Sequence, residues 1–367
     1  MSPVFSVYLD LLRLLSALAV FIAHLKYERF TNGWLGFFGD GNYAVMVFFV
    51  LSGYVICYVA NEKEATPYDF TVSRLARLYS VVIPAILLTA FFDLVGPRFD
   101  RELYDGWWYQ DSHLLVRLFA NSFFIQELWF FSIRPLSNGP FWSLGYEFWY
   151  YFIFAILFYR PGRSWWLWTL LVCLIAGPKI LLLAPVWLMG VGAYYFNRKV
   201  KLSWGYGLAF FFMPLLGYLL YLHLDAPLHL NSLTHSILGE SVSQLQWSKR
   251  FLENYIIGAL VTLNVIGFYA YAEKLKGAAR LFGNPVRFLA SYTFTLYLVH
   301  YPALHFFAAV TSHDPRDFLD QALLITSTLL LCFLVGTYTE KRKHVLKTAL
   351  NSCFHRFPAL KQGNAAR

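Results

Sequence analysis

Charge is scarce in this sequence: 14% of its 367 residues are Asp, Glu, Lys or Arg, against 58% hydrophobic and 20% aromatic. That composition excludes an ordinary water-covered domain and makes lipid the solvent for most of the chain. Cysteine is nearly absent as well. Of the 4, Cys57, Cys173 and Cys332 lie inside apolar runs and Cys353 near the C-terminus, with neither a CxxC pair nor a Cys/His cluster. A disulfide framework and a zinc site are thereby disfavoured, and no metal is expected. No basic residue precedes the first apolar run at about Tyr8, so the run lacks the n-region of a secretory signal and reads as a retained helix. The formal charge is +9, yet no basic stripe with interleaved aromatics lies outside the apolar runs. The excess is read as orientation charge facing anionic lipid, not as a surface for nucleic acid.

What the sequence does have is a succession of long apolar runs, continuous rather than alternating, which selects helices over a closed barrel. The expectation is an all-α, polytopic membrane helical bundle of about ten transmembrane helices, at 8–26, 43–60, 78–96, 141–159, 164–178, 179–196, 204–223, 252–272, 288–310 and 321–340. The fifth and sixth are short and meet at Gly177-Pro178, so two spans or one broken element both fit. The stretch 114–131, interrupted by Arg117 and Gln126, reads as an interfacial helix. Lys and Arg fall about twice as often in the gaps that are cytoplasmic when the N-terminus is. Both termini are therefore expected in the cytoplasm, with residues 1–340 forming the membrane domain and 341–367 a basic cytoplasmic tail. Two long outer loops, about 97–140 and 224–251, hold Trp107, Trp108, Tyr109, Asp111, His113, Asp225, His229, His235 and Glu240. Such residues stack on and hydrogen-bond sugars, although aromatic belts at membrane surfaces have the same composition.

Within the first run, Arg13 and His24 fall within ~20° of one another on a helix, ~16 Å apart along its axis. Asp10 lies one turn before Arg13, placed to hold the guanidinium. An unpaired Arg facing lipid costs at least ~2.5 kcal/mol; the alternative is an Arg snorkelling to head groups. In NGPFWSLGYEFWYYF, Trp142 is an interface anchor, and Ser143 and Glu147 share one face a turn apart. An acid in a span is a candidate for proton transfer or for neutralising an Arg in the bundle. Arg74 and Arg77, at i and i+3 before the third span, suit phosphate or positive-inside anchoring equally. In SYTFTLYLVHYPAL, Tyr292 and His300 are roughly co-facial and Tyr297 is not, so Tyr297 reads as packing.

In this order these segments resemble acyltransferase family 3, the integral-membrane O-acyltransferases of bacterial polysaccharides and other glycans. The resemblance covers about residues 8–340 and is carried by Arg13 and His24, FFVLSGY at 48–54, Arg74 and Arg77 leading to Pro84, Trp142-Ser143-Leu144 with Glu147 and Tyr151, and Ser291-Tyr292 with Tyr297, His300 and Pro302. Ala44, Met46 and the residues after Glu340 depart from the usual pattern, which bears on subfamily. The extracytoplasmic esterase-like domain of many relatives has no counterpart, so a stand-alone core is expected.

The resemblance implies an acyl-CoA-dependent O-acetyltransferase of the bacterial inner membrane that uses acetyl-CoA from the cytoplasm to acylate an extracytoplasmic or lipid-linked glycan. Arg13, Arg74 and Arg77 would hold the donor. His24 would act as general base or transient acyl carrier, oriented by Glu147, with Asp10, Trp142, Ser143, Tyr292 and His300 binding substrate or supporting the site. The rival readings are an ion-coupled transporter or flippase for a polar or lipid-linked sugar, and an N-acyltransferase of an amino sugar.

Overall fold

Lipid offers no partner to a backbone N–H or C=O, so each crossing segment must close its own hydrogen bonds. In the computed structural model the chain does so as helices alone, with no strand among the described residues. These are residues 1–354 apart from 40 and 161, without the side chains of 273, 276–281, 353 and 354. In chain order the helices are α1 (Pro3–Leu25), α2 (Glu28–Thr31), α3 (Asn42–Glu62), α4 (Pro67–Val95), α5 (Leu114–Ser122), α6 (Trp142–Tyr159), α7 (Trp165–Ala176), α8 (Pro178–Lys199), α9 (Trp204–His223), α10 (Ala226–Leu238), α11 (Phe251–Tyr271), α12 (Lys276–Ala290), α13 (Thr293–Val310), α14 (Phe318–Tyr338) and α15 (Lys343–Phe354). Local signals set their starts. Ser2 accepts from the Phe5 amide at 3.3 Å and Pro3 opens α1; Thr66 accepts from the Asp69 amide at 3.1 Å and Pro67 opens α4.

Among the described residues 9 helices are long and apolar enough to cross a bilayer, which makes this a multi-pass membrane protein. The expected tenth falls short. Helix α7 has 12 residues, ~18 Å against the ~30 Å hydrocarbon core. Gly177, at φ +81°, and Pro178 separate α7 from α8, so the segment is two helices and not one bent element. The outer loop folds down to meet the break: the Trp129 amide donates to the Ala176 carbonyl at 3.2 Å. A buried ion pair, Lys179 Nζ to Glu127 Oε2 at 2.8 Å, staples loop to helix, and Ser132 Oγ donates to the other carboxylate oxygen at 2.7 Å. The interfacial helix is α5, shorter than expected because the chain turns at Phe124 and Trp129, both at positive φ.

Helix α13 is central, with 78% of its apolar window buried, while α9 at 17% is peripheral. It packs on α1, α4 and α14; α1 also meets α3 and α12, and α3 packs on α8. The α3/α8 contact is backbone on backbone. A Cβ on Gly53 would lie 2.0 Å from the Trp187 carbonyl oxygen, and one on Gly190 2.0 Å from that of Val50, the close approach that small residues permit between membrane helices. Pro302 cannot donate to the Leu298 carbonyl, and the Asn138 amide does so instead at 2.8 Å while also bonding Thr89 Oγ1 at 3.0 Å. The turn before α6 is thereby tied to both α13 and α4.

The start of α1 and the end of α14 share one face, where Arg13 and Glu340 are electrostatic neighbours. On that face α15 lies against α4, with Lys347 Nζ donating to Ser73 Oγ at 2.9 Å. The described part of the basic tail is thus a docked helix; its remainder, 355–367, lies outside the described residues.

Candidate active site

Two cavities enter the bundle from opposite faces. The one on the face of the termini, hereafter inner, encloses about 250 Å³ and is lined by Asp10, Arg13, Ser52, Arg77, Ser143, Glu147, Tyr151 and Tyr297 among others. Arg13 Nη2 lies 2.9 Å from Asp10 and donates to the Ala290 carbonyl at 3.1 Å, the pairing that the one-turn spacing leads one to expect. The Arg77 guanidinium has no hydrogen-bond partner among the described residues and has Tyr151, Glu147, Glu340 and Asp10 as electrostatic neighbours. Lys63 lines the same cavity.

Arg74 differs from its neighbour in the motif. Its Nη2 bonds Glu64 Oε1 at 2.8 Å in a largely buried pair, and it does not line the cavity. The two arginines expected to act together are thus separated: Arg77 lines the cavity, and Arg74 is held away from it by Glu64.

Glu147 accepts from Ser52 Oγ at 2.7 Å and from the Tyr151 hydroxyl, while Trp187 Nε1 donates to Ser52 Oγ at 3.2 Å. The FFVLSGY segment therefore supplies both the hydroxyl that holds Glu147 and, in Gly53, the close contact that positions α3. Glu147 makes no bond to His24; the two residues line different cavities. That corrects the expected pairing, since Glu147 sits deeper along α6, beside Arg77.

The outer cavity, about 540 Å³, is lined by His24, Tyr27, Arg29, Trp108, Arg134, Trp142, Trp247 and Tyr301 among others. Trp142 stacks on Trp247 at 5.2 Å and 6°. Here His24 finds its partner. Its Nδ1 is 2.9 Å from the Val20 carbonyl and 3.1 Å from His300 Nε2, and His300 Nδ1 is 2.7 Å from the Leu296 carbonyl. A carbonyl only accepts, so both Nδ1 atoms carry the proton in the neutral rings. His300 Nε2 then shares the His24 Nδ1 hydrogen, and His24 Nε2 is left with a lone pair.

Tyr297 and Val45 line both cavities. The Tyr297 hydroxyl donates to the Pro140 carbonyl at 3.0 Å and meets Ser143 Oγ at 2.8 Å, so it stands in the partition between the inner and outer cavities. Reading Tyr297 as packing missed this, since a helical wheel does not reveal a residue shared by two cavities. Tyr292 is placed away from both: it is the N-cap residue of α13, its ring 4.8 Å from Phe333 and under Lys341 Nζ at 4.5 Å. Its expected role at the substrate gives way to packing between α13 and α14. Of the residues singled out in the long outer loops, Trp107 and Trp108 line the outer cavity. Arg29, Arg134 and Tyr301 escaped notice, though the Arg29 and Tyr27 pair so soon after His24 was an available signal.

The acyltransferase domain profile matches residues 6–337. The chain belongs to acyltransferase family 3. Its relatives include an O-acetyl transferase of Shigella phage Sf6, 29% identical over 219 residues, 55% of this chain and 60% of that protein. Acyltransferase MdmB of Streptomyces mycarofaciens is 30% identical over 170 residues, 42% of this chain and 41% of the relative. YrhL of Bacillus subtilis, named as a peptidoglycan O-acetyltransferase, is 30% identical over 164 residues, 40% of this chain and 23% of the relative. The match thus spans 60% or less of each relative's own length. No solved structure matches the chain. Within this acyltransferase 3 family member, the Arg13 and His24 motif joins the two cavities: Arg13 faces the inner and His24 the outer.

Proposed function

We propose that the protein transfers an acyl group, acetyl, from a coenzyme A thioester in the inner cavity to a glycan hydroxyl in the outer one. The observation that carries this is the pair of cavities separated by Tyr297 and Val45, with a neutral histidine of fixed tautomer on the outer wall. The names of the phage and Bacillus relatives support O-acetylation and a glycan acceptor. The distribution of Lys and Arg supports a cytoplasmic inner face, and we place the protein in a bacterial inner membrane on the family alone.

On this reading Arg77, with Arg13 held by Asp10, meets the phosphates and amides of the donor arm, leaving its nucleotide in the cytoplasm. The thioester end passes Glu147 and Ser143 to reach the partition. The acceptor hydroxyl then attacks the thioester carbonyl: a C–O bond forms, the C–S bond breaks, and the hydroxyl proton passes to His24 Nε2 and from there to the departing thiolate. A positioned imidazole contributes roughly a hundred- to ten-thousandfold to such a step. His300 accepts from His24 Nδ1 and steadies the imidazolium, the task that a carboxylate performs in hydrolase triads.

The test is transfer of label from radioactive acetyl-CoA to glycan in membranes containing wild-type protein or His24→Ala. Labelling that depends on His24 supports the proposal; equal labelling by both removes it.

A further inference from the structure

The outer cavity has a charge of one sign. Lys26, Arg29, Arg134, Lys249 and Arg250 line it, and no Asp or Glu does among the described residues. Arg250 is neutralised by Glu253 at 2.6 Å, and Lys26 donates to the Gly39 carbonyl at 3.1 Å. Arg29 and Arg134 have no carboxylate in ion-pair reach among the described residues. Both are fixed around Trp108 instead. The Arg29 guanidinium lies 4.5 Å over the Trp108 ring and 4.6 Å over Tyr27, while Arg134 Nη1 donates to the Trp108 carbonyl at 3.2 Å and stacks 5.1 Å over Trp107.

Each guanidinium has five N–H donors, and few are used here. Arg29 gives one to the Tyr301 hydroxyl at 2.8 Å and its Nε is buried with no partner. Burial pulls the pKa of Arg134 below its ordinary value, partly offset by Tyr301 and by the more distant Glu127, which is itself paired with Lys179. Aromatic faces alone would serve a neutral sugar. Two rigid, stacked and unneutralised guanidiniums instead match the fork geometry of a phosphate or carboxylate. Tyr301, whose hydroxyl accepts the Arg29 hydrogen bond, has its ring 4.6 Å from the His24 ring, so a bound anion would sit next to the reacting hydroxyl.

We propose that the acceptor is an anionic glycan whose phosphate or carboxylate docks between Arg29 and Arg134. This deepens the acyltransferase reading and rests on it for the word acceptor, but its test needs no acyl donor. Thermal unfolding of the purified full chain is followed with inorganic pyrophosphate, glucuronate or glucose. Stabilisation by pyrophosphate, glucuronate or both, with none by glucose, is expected. It should survive Arg77→Ala, which removes a cation of the inner cavity, and weaken about tenfold in apparent affinity in Arg29→Gln and in Arg134→Gln. Arg134→Lys, which keeps the charge, should recover part of the loss and separates anion binding from misfolding. A response to pyrophosphate alone identifies a lipid-diphosphate head group as the source, and one to glucuronate alone an acidic sugar. Equal effects of glucose and the anions, or stabilisation untouched by both glutamine variants, overturns the proposal. Failure of acetyl transfer with these binding results intact would remove the acyltransferase reading and leave the anion site standing.

Discussion

Replacing His300 with Phe isolates the contribution of the second histidine. The ring is fully buried, so Phe keeps most of its packing, and the Leu296 carbonyl loses only a side-chain partner. His24 Nδ1 keeps the Val20 carbonyl at 2.9 Å, so the reactive tautomer survives and one shared hydrogen bond is lost. At ~0.5–1.5 kcal/mol for a net hydrogen bond, and 1.36 kcal/mol per decade of rate, kcat/KM should fall roughly two- to twelvefold. His24→Ala should fall about a hundred- to ten-thousandfold. The assay is initial-rate acetyl transfer in proteoliposomes, with unfolding temperature measured in parallel. A His300→Phe variant as inactive as His24→Ala at unchanged stability would make His300 the proton acceptor. No loss in His300→Phe, with a more than hundredfold loss in Glu147→Gln at unchanged donor KM, would return the orienting role to Glu147.

The motif arginines should separate: Arg77→Ala raises the donor KM, whereas Arg74→Ala leaves the donor KM unchanged, orphans the buried Glu64 and destabilises by ~3–5 kcal/mol, read as lost unfolding temperature. Lys179→Met leaves Glu127 uncompensated and should cost a similar ~3–5 kcal/mol; the double change with Glu127→Leu should recover most of it. Gly190→Ala drives a Cβ to 2.0 Å from the Val50 carbonyl oxygen, so α3 and α8 must part and both stability and activity should fall, measured by unfolding temperature and acetyl transfer.

What could be read from sequence was what one helix can express. The Arg13 and His24 stripe and the Asp10 partner one turn away are local, and periodicity reports them. The His24 and His300 pair lies 276 residues apart in the chain, and nothing within either helix announces it. Likewise Arg74 and Arg77 are alike in sequence, and nothing in the sequence marks Glu64, in the turn before α4, as the buried acid that quenches one of them. Helix α7 is shorter than a full span, and the sequence hides this because hydropathy records apolar length but not the outer loop that descends to meet Gly177. Glu147 is paired with His24 by the resemblance, as the acid of a triad, whereas depth along α6 sets Glu147 beside Ser52 and Tyr151.

The central claim is transfer between two faces of one membrane protein through the partition at Tyr297. It is tested most directly in sealed vesicles of known orientation, with labelled acetyl-CoA on one side and acceptor glycan on the other. The account predicts label on the glycan only when donor meets the cytoplasmic face and acceptor the opposite one, and none with His24→Ala. Labelling that requires donor and acceptor on the same side would contradict it.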